Sequence, residues 1–518
     1  MVDTNAASRE RNPHPPRLWQ ALIPVGFLII GLALAIKLYG EDAVGGPVQV
    51  ALLLAGALAA QVGYFNGHTI SDLTKAAVDS VGSAMGAIFI LFAVGALIGT
   101  WNMSGTIATL TDWGIRVLNP DLFYAVAAIL CAAIAVSVGS SWTVMGTIGV
   151  ALVAVAEGLG LNVAIAAGAV ISGAYFGDKM SPLSETTNLA AAVAGTDLYK
   201  HIRSMMSTTV PSILITLGIY LILGFRAKPA GGIDVPEELR DIERLFNVNV
   251  LTLIPLAVVL ILALRKIPPT FAILAGALTG GLVAIILQPD AVRAFVGDDS
   301  LGTPLVMLKG VWDAMATGFV ADTGSAAVDE LLSGGGMQGM LNTIWLIITA
   351  LAFGGIMNHT GFLGKLIEPL RRRTKTPRGA MASTGVTAIG INAVAGDQYL
   401  ALVLTGNVFK EEFKNRGIAP QTLSRQIEDT ATVTSPLIPW NSCGAYASGV
   451  LGVTTLAYLP FAFFNWINPM ISFVYAALGV AIQKAEPGVD SAPAPAEASF
   501  YGVSGQHADE VPEDGSRP

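Results

Sequence analysis

Between Tyr175 and Gly195 the chain reads YFGDKMSPLSETTNLAAAVAG. Two carboxylates (Asp178, Glu185), the ammonium of Lys179 and the polar side chains of Ser181, Ser184, Thr186, Thr187 and Asn188 interrupt a run otherwise made of small apolar residues. A second such stretch, EDTATVTSPLIPWNS, supplies Glu428, Asp429, Thr430, Thr432, Thr434, Ser435, Asn441 and Ser442. Apart from the amide nitrogens and Lys179, these groups offer oxygen. Hard cations take oxygen ligands, whereas softer metals want the His or Cys that both stretches lack as clustered donors. The chemistry indicated is binding of a hard cation, with the carboxylates also able to hold a proton. A structural alternative exists for each group: Asp178 can pair with Lys179 or cap a helix, and single hydroxyls can bond to backbone carbonyls. Sequence leaves open whether Lys179 neutralises Asp178 or tethers it in one state.

Elements that position these groups follow from hydropathy and proline. The chain has 518 residues, 53% hydrophobic and 13% charged, where a soluble protein carries about 25% charged residues. Apolar runs at Leu18–Leu38, Pro47–Phe65, Ala84–Trp101, Ser207–Phe225, Val248–Leu264, Thr270–Leu287, Leu341–Met357 and Leu459–Ile482 approach or reach the ~20 residues that cross a bilayer as a helix. The expected fold class is an all-α polytopic membrane protein. Leu18–Leu38 is too long for a signal-peptide core and lacks a small-x-small cleavage site before Glu41, so it reads as a retained first span. At membrane depth a carboxylate is costly and by default marks an ion or proton pathway. Proline removes a backbone donor and clashes with the preceding turn, so the polar stretches should be helices that open near Pro182 and near Pro436 and Pro439. Carbonyls freed there need partners, and a cation is one.

The chain also repeats itself. NMSG at Asn102 matches NHTG at Asn358, VGSSWTVMGTIG at Val138 matches AGDQYLALVLTG at Ala395, and KMSPL at Lys179 matches VTSPL at Val433. These matches are offset by 254 to 257 positions, and an AAVD recurs at Ala76 and Ala326 in the same order. A duplicated unit follows, and duplicated halves with helices broken at equivalent places are the mark of secondary transporters. The matched tips Gly139–Trp142 and Gly396–Tyr399 join short apolar arms of about 15 residues, which suggests two re-entrant hairpins, tolerated only where buried in protein or lining water. Ser140 and Ser141 thus stand opposite Asp397 and Gln398, with Trp142 and Tyr399 packing the tips. The boundaries read as an N-terminal segment (1–17), a first repeat (18–225), a linking loop (226–247), a second repeat (248–482) and an acidic tail (483–518).

Other classes find little support. No P-loop, H-E-x-x-H or G-x-S-x-G signature occurs, so no enzyme is indicated. Nor is the short filter of a symmetric channel seen. Cys131 and Cys443 are far apart in apolar segments and read as core residues, while His68, His201 and His359 fall near span ends and read as interfacial packing. The net charge of −8 resides mainly in the tail, where from Ala485 to Pro518 seven acids face Arg517 alone. The near-neutral body gives no indication of nucleic-acid binding, and the tail's composition cannot support a core.

The stretches ISGAYFGDKMSPLSETTNLAAAVAGTDLYKHI, GSSWTVMGTIGVAL, AGDQYLALVL and LSRQIEDTATVTSPLIPWNSCGAYASGVLGV resemble the NhaC-type sodium/proton antiporters, over roughly Ile90 to Val480. The family more often has Asp at position 185 and Pro at 191. The resemblance implies a fold with inverted repeats, two re-entrant hairpins and scaffold and transport domains, often as dimers, in the cell (inner) membrane. It implies exchange of sodium ions for protons with no cofactor, the partners being membrane lipid and the ions themselves. Expected cation- or proton-binding residues are Asp178, Ser181, Glu185, Thr187, Asn188, Ser140, Ser141, Asp397, Asp429, Thr434, Ser435 and Asn441, with Asp178, Glu185, Asp397 and Asp429 as sodium ligands. Relatives that exchange malate or lactate give the alternative. An organic acid would need a fixed cationic anchor, for which Lys179 is the intramembrane candidate, although helix N-termini can serve.

Loop charges suggest the orientation, since cytoplasmic loops are rich in Lys and Arg. Lys200 and Arg203 after the first broken helix, Arg371–Arg378 and Lys410–Arg416 around the second hairpin, and Arg265–Lys266 all read as inside. Both termini are then cytoplasmic, with ten crossings plus two hairpins and a pseudo-two-fold axis in the membrane plane that brings Pro182 and Pro436 together.

Overall fold

A computed structural model describes residues 13–117, 119–227, 246–298, 300–321, 329, 332–372 and 376–485. The segment before residue 13, most of the expected linking loop and the acidic tail beyond 485 lie outside the described residues. The described chain is helical, and its extended pairing is limited to two isolated bridges, Phe319–Gly334 and Ile418–Lys484. Helices suit an apolar solvent because they satisfy their backbone groups internally.

In chain order the first half contains α1 (Leu18–Tyr39), α2 (Pro47–Phe65), α3 (Ile70–Ser83), α4 (Met85–Met103), α5 (Thr106–Val117), α6 (Phe123–Val138), α7 (Ser141–Val144), α8 (Val150–Gly158), α9 (Val163–Met180), α10 (Glu185–Ala194) and α11 (Leu198–Arg226). The second half contains α12 (Ile254–Leu264), α13 (Pro269–Leu287), α14 (Pro289–Val296), α15 (Thr303–Ala316), α16 (Leu341–His359), α17 (Phe362–Arg372), α18 (Pro377–Ala395), α19 (Gln398–Asn415), α20 (Pro420–Ile427), α21 (Ser442–Leu451), α22 (Thr455–Tyr458) and α23 (Phe463–Leu478). Among the described residues eight helices are long and apolar enough to cross a membrane, or nine if the bent pair ending in α23 is one span. Large apolar side chains such as Ile29, Ile30, Leu214, Phe271 and Ile286 are exposed on the outer helices. Faces of that kind suit lipid rather than water.

Most apolar runs become helices close to where hydropathy places them; Val248–Leu264 is α-helical only from Ile254 and Leu459–Ile482 only over Phe463–Leu478, and a third difference is more informative. α11 starts at Leu198, nine residues before the expected Ser207, because Asp197 accepts from the amides of Tyr199 and Lys200 at 3.0 and 3.1 Å. Such a side-chain cap satisfies amides that otherwise lack partners at a helix start. Lys200 and Arg203, read as loop residues, therefore lie in the first turns of a 29-residue helix.

The polar tips also form as turns between helices. Gly139 and Gly396 end α6 and α18 in the left-handed conformation, φ 77° and 67°, where any other L-residue costs about 1–2 kcal/mol. The arms of the first tip run Pro120–Val138 and Ser141–Gly158, 19 and 18 residues. Those of the second are 19 and 18 residues as well. All four exceed the expected 15, because the 3₁₀ turn at Pro120 and the π turn Met145–Gly149 extend the first pair and the polar ends of α18 and α19 remain helical. Their shortness as an argument for re-entrance falls away.

α6 lies along α9 at close range. A Cβ at Gly173 would stand 2.1 Å from the Ala128 carbonyl oxygen, and one at Gly177 2.4 Å from that of Ala132. This small-xxx-small contact lets the two backbones approach, and it brings the first tip against the end of α9.

Candidate functional site

The first break is defined by the end of α9. Ser181 leaves the helix at φ −84°, ψ 131°, Pro182 follows, and Ser184 restarts the chain as α10 by accepting from the Thr187 amide at 3.3 Å. The side chains of the break answer most of its freed carbonyls: Thr187 Oγ1 donates to Lys179 O at 3.1 Å, and Asn188 Nδ2 to Pro182 O at 3.0 Å and Ser184 O at 2.7 Å. Ser181 Oγ reaches across to Val136 O on α6 at 2.7 Å. These residues thus hold the break open.

Asp178, in the last turn of α9, is buried. One of its oxygens accepts both the Ser141 hydroxyl, at 2.7 Å, and the Ser141 amide, at 3.1 Å. A carboxylate facing a helix N-terminus is favoured by the helix dipole, and hydrogen bonds to a charged group contribute about 1.5–3 kcal/mol each. The other tip residue, Ser140, caps α7 through the Thr143 amide at 3.2 Å.

The second break is longer. α20 continues through a π turn, Glu428–Thr432, into a 3₁₀ turn, Ser435–Leu437, before α21. Asn392 on α18 donates to the Ala431 carbonyl and to Thr434 Oγ1, and Asn441 donates to Asn392 Oδ1 at 3.1 Å. Tyr458 answers the Pro436 carbonyl at 2.6 Å. The second tip meets this break much as the first tip meets its own: Gln398 Oε1 lies 3.2 Å from Ser435 Oγ, and the Ser442 amide donates to Gly396 O at 2.9 Å. Asp397 caps α19 through the Leu400 amide at 2.8 Å.

Each tip also touches the opposite break. Trp142 stacks on Tyr446 of α21 with centroids 4.0 Å apart, and the Tyr446 hydroxyl donates to the Trp142 carbonyl at 2.8 Å. Tyr399 in turn donates to Glu185 of α10 at 3.0 Å. Two breaks and two tips therefore form one connected centre.

Behind them lies a charged core. Lys179 Nζ donates to Asp429 and, at 2.8 Å, to Asn468 of α23, while Thr208 of α11 donates to the same Asp429 oxygen at 3.1 Å. Both partners of the Lys179–Asp429 ion pair are fully buried. Lys179 is thus spent on a residue 250 positions away, and Asp178 is held by Ser141. In this structure Lys179 does not neutralise Asp178, because successive residues of a helix point in different directions. The four carboxylates expected as sodium ligands do not converge either. Asp178 and Glu185 lie within electrostatic reach of one another, but Glu185 is exposed, Asp397 caps a helix and Asp429 has its lysine. No three His, Cys, Asp or Glu side chains form a metal-holding group among the described residues.

Three members of the core were not among the expected binding residues. Arg425 is fully buried with one hydrogen bond, Nη1 to Ser207 Oγ at 3.1 Å, and its Nε and Nη2 have no partner. Lys179 is therefore not the sole cation inside. His201, expected at an interface, is fully buried with both ring nitrogens unpartnered, since the early start of α11 turns it toward the Lys179 and Arg425 charges. Glu428 is fully buried, with no donor in hydrogen-bonding geometry at either oxygen. The R-Q-I-E-D spacing was a signal for both Arg425 and Glu428, because charges in an apolar segment rarely stand alone.

Apolar outer faces, interrupted helices and a buried charged centre define a polytopic membrane protein with the anatomy of a transporter. Comparison with known proteins narrows this. The model of the Na+/H+ antiporter family matches residues 173–480. The Na+/H+ antiporter NhaC of Alkalihalophilus pseudofirmus is 35% identical over 464 residues, 89% of this chain and 97% of that protein. The arginine/ornithine antiporter ArcD of Halobacterium salinarum is 34% identical, covering 91% of this chain and 94% of its own length. The malate-2H+/Na+-lactate antiporter of Bacillus subtilis is 32% identical, covering 90% and 95%. The chain belongs to the Na+/H+ antiporter family.

Proposed function

We propose that the protein is a secondary active transporter that exchanges sodium ions for protons, with Asp178 as the carboxylate that meets the cation. The observation that carries this reading is the position of Asp178. It is buried at a helix break, held on one oxygen by the Ser141 hydroxyl and amide, and free of the neighbouring lysine. The charge stays available to an ion, while Ser141 holds the side chain toward the meeting point of the first tip and the first break. Exposed Glu185, electrostatically close to Asp178, gives an approach from solvent. Family membership and the NhaC relatives support sodium and protons as the exchanged ions. Duplicated sequence and reciprocal tip-to-break contacts support an inverted repeat in which one half rocks against the other around this centre.

The test is reconstitution into vesicles, an imposed sodium gradient and a record of internal pH. The wild type should move protons on sodium addition without any organic acid, and Asp178→Asn should abolish the signal while still inserting and remaining monodisperse. Near-normal exchange by that variant would remove Asp178 from the ion path.

A second reading, coupled exchange of small carboxylates, has one observation in its favour. Arg425 carries two unpartnered N–H groups in the interior, and arginine suits bidentate recognition of a carboxylate. Malate, lactate and arginine added in turn to the same vesicles decide it: proton movement that requires one of them replaces the first reading.

A further inference from the structure

Within the sodium–proton reading, we infer that Glu428 carries the transported proton, separately from the cation ligand Asp178. Glu428 opens the π turn Glu428–Thr432, a helix irregularity that recurs at functional sites. It is fully buried and no donor meets either oxygen in hydrogen-bonding geometry. The other inner carboxylates differ in this respect: Asp178 has two donors from Ser141, Asp429 has Lys179 and Thr208, and Asp397 has the Leu400 amide.

An ionised carboxylate without donors is costly in an apolar interior, and the neutral acid far less so. The arrangement therefore suits the protonated form. Ionisable groups around Glu428 are Lys179 and Asp178 of α9 and, on its own helix, Asp429 and Arg425. Lys179 is committed to Asp429, and the Arg425 guanidinium, bonded to Ser207, interacts electrostatically with Asp429 and Tyr475. Two hydroxyls lie beside Glu428 outside hydrogen-bonding geometry, Thr186 of α10 and Thr432 of its own π turn, while α23 contributes Asn468 beside Lys179 and Tyr475 beside Arg425. None of these donates a hydrogen bond to Glu428.

Glu428 and Asp178 lie within electrostatic range of one another, which gives the coupling. A sodium ion at Asp178 is held more tightly when Glu428 has lost its proton, and protonation of Glu428 weakens it. Sodium entry and proton departure then favour each other with no shared ligand. No bond other than the carboxyl O–H is made or broken, and the proton leaves to water on the side that Glu428 faces.

The test measures half-saturating sodium for transport against pH in vesicles of the full chain. In the wild type it should rise toward acid, approaching about tenfold per pH unit, the limit for one linked proton. Glu428→Gln, which mimics the neutral acid, should hold that value at the wild-type acid level at every pH and lose sodium-driven proton movement. Glu428→Asp should restore the dependence with a displaced midpoint. A Glu428→Gln protein that keeps the wild-type pH dependence, beside a wild type that exchanges normally, overturns the assignment alone. A wild type that moves no protons with sodium overturns the exchange reading and the assignment together. Infrared difference spectra on sodium addition give an answer without the Gln variant. The carbonyl band of a protonated carboxylic acid should disappear in the wild type and be displaced in Glu428→Asp, and its absence or indifference to the Asp change overturns the proposal.

Discussion

Removal of either partner of the Lys179–Asp429 pair should destabilise the protein more than almost any other single polar change. Both side chains are fully buried, so neither can recover water when its partner goes. Breaking a buried ion pair costs about 3–5 kcal/mol, most of it from the uncompensated charge left behind. The structure shows what each change leaves behind. After Asp429→Asn, Lys179 keeps its bond to Asn468, a neutral acceptor that cannot match its charge. After Lys179→Met, Asp429 keeps the Thr208 hydroxyl on one oxygen, while its other oxygen has no partner at all. Both singles should fall near the lower bound, about 3 kcal/mol. The double variant Lys179→Met, Asp429→Asn leaves no charge stranded and should cost much less than the sum. The assay is a double-mutant cycle on reversible unfolding in mixed micelles, with size-exclusion profiles after heating as a check. Additive single costs, or a Lys179→Met protein as stable as the wild type, would refute the reasoning.

Other outcomes can be checked independently. Gly173→Val should force α6 from α9, because the added Cβ would lie 2.1 Å from the Ala128 oxygen. Overpacking of this kind costs about 1–3 kcal/mol, and weaker apparent sodium affinity should accompany the lower stability as Ser141 moves from Asp178; unchanged affinity with lowered stability would separate packing from the site. His68, in the turn after α2, has its imidazole pushed below its ordinary value, first by burial and then by His359, against the opposing pull of Asp72. Such a base is neutral when folded and takes a proton more readily when unfolded, so the stability it lends is present above about pH 6.5 and lost as pH falls through its folded value. His68→Gln should therefore flatten the acid limb of thermal stability, and an unaltered limb contradicts the assignment. The proposed orientation, in which basic residues at span ends lie inside, puts the Arg203 and Arg378 positions on the same side, so cysteines introduced there should react with an impermeant reagent from that one side; labelling from opposite sides rejects the topology.

Much of the architecture was legible because its signals are local. Apolar runs of bilayer length became α1, α2, α4, α13 and α16 with ends shifted by two residues or fewer, since each run satisfies its own backbone as a helix. Pro182 and Pro436 marked the interruptions because a missing amide acts at the position of the proline itself. Gly139 and Gly396 ended helices because a positive φ is available to them at no steric cost. The paired motifs located both tips and both breaks. Local hydropathy was weaker where polar residues continue a helix, which is why α11 began earlier than expected and carried His201 inside.

Which charge meets which was decided by tertiary packing alone. Asp178 and Lys179 are adjacent in sequence, yet one faces the tip at Ser141 and the other Asp429 on a different helix. That choice depends on the rotation of α9 about its axis, fixed by the Gly173 and Gly177 contact with α6 rather than by the charged residues. Glu428 and Arg425 are one turn apart on α20 and its π turn, but which partners reach them is set by the neighbouring helices, which bring Ser207 to Arg425 and no donor in hydrogen-bonding geometry to Glu428. Sequence determined that this chain crosses a membrane, breaks two helices and places carboxylates at the breaks. The packing of distant helices decided which carboxylates gained a partner and which was left without one, because in an apolar medium a charge is governed by the side chains within a few ångströms, whatever their separation along the chain.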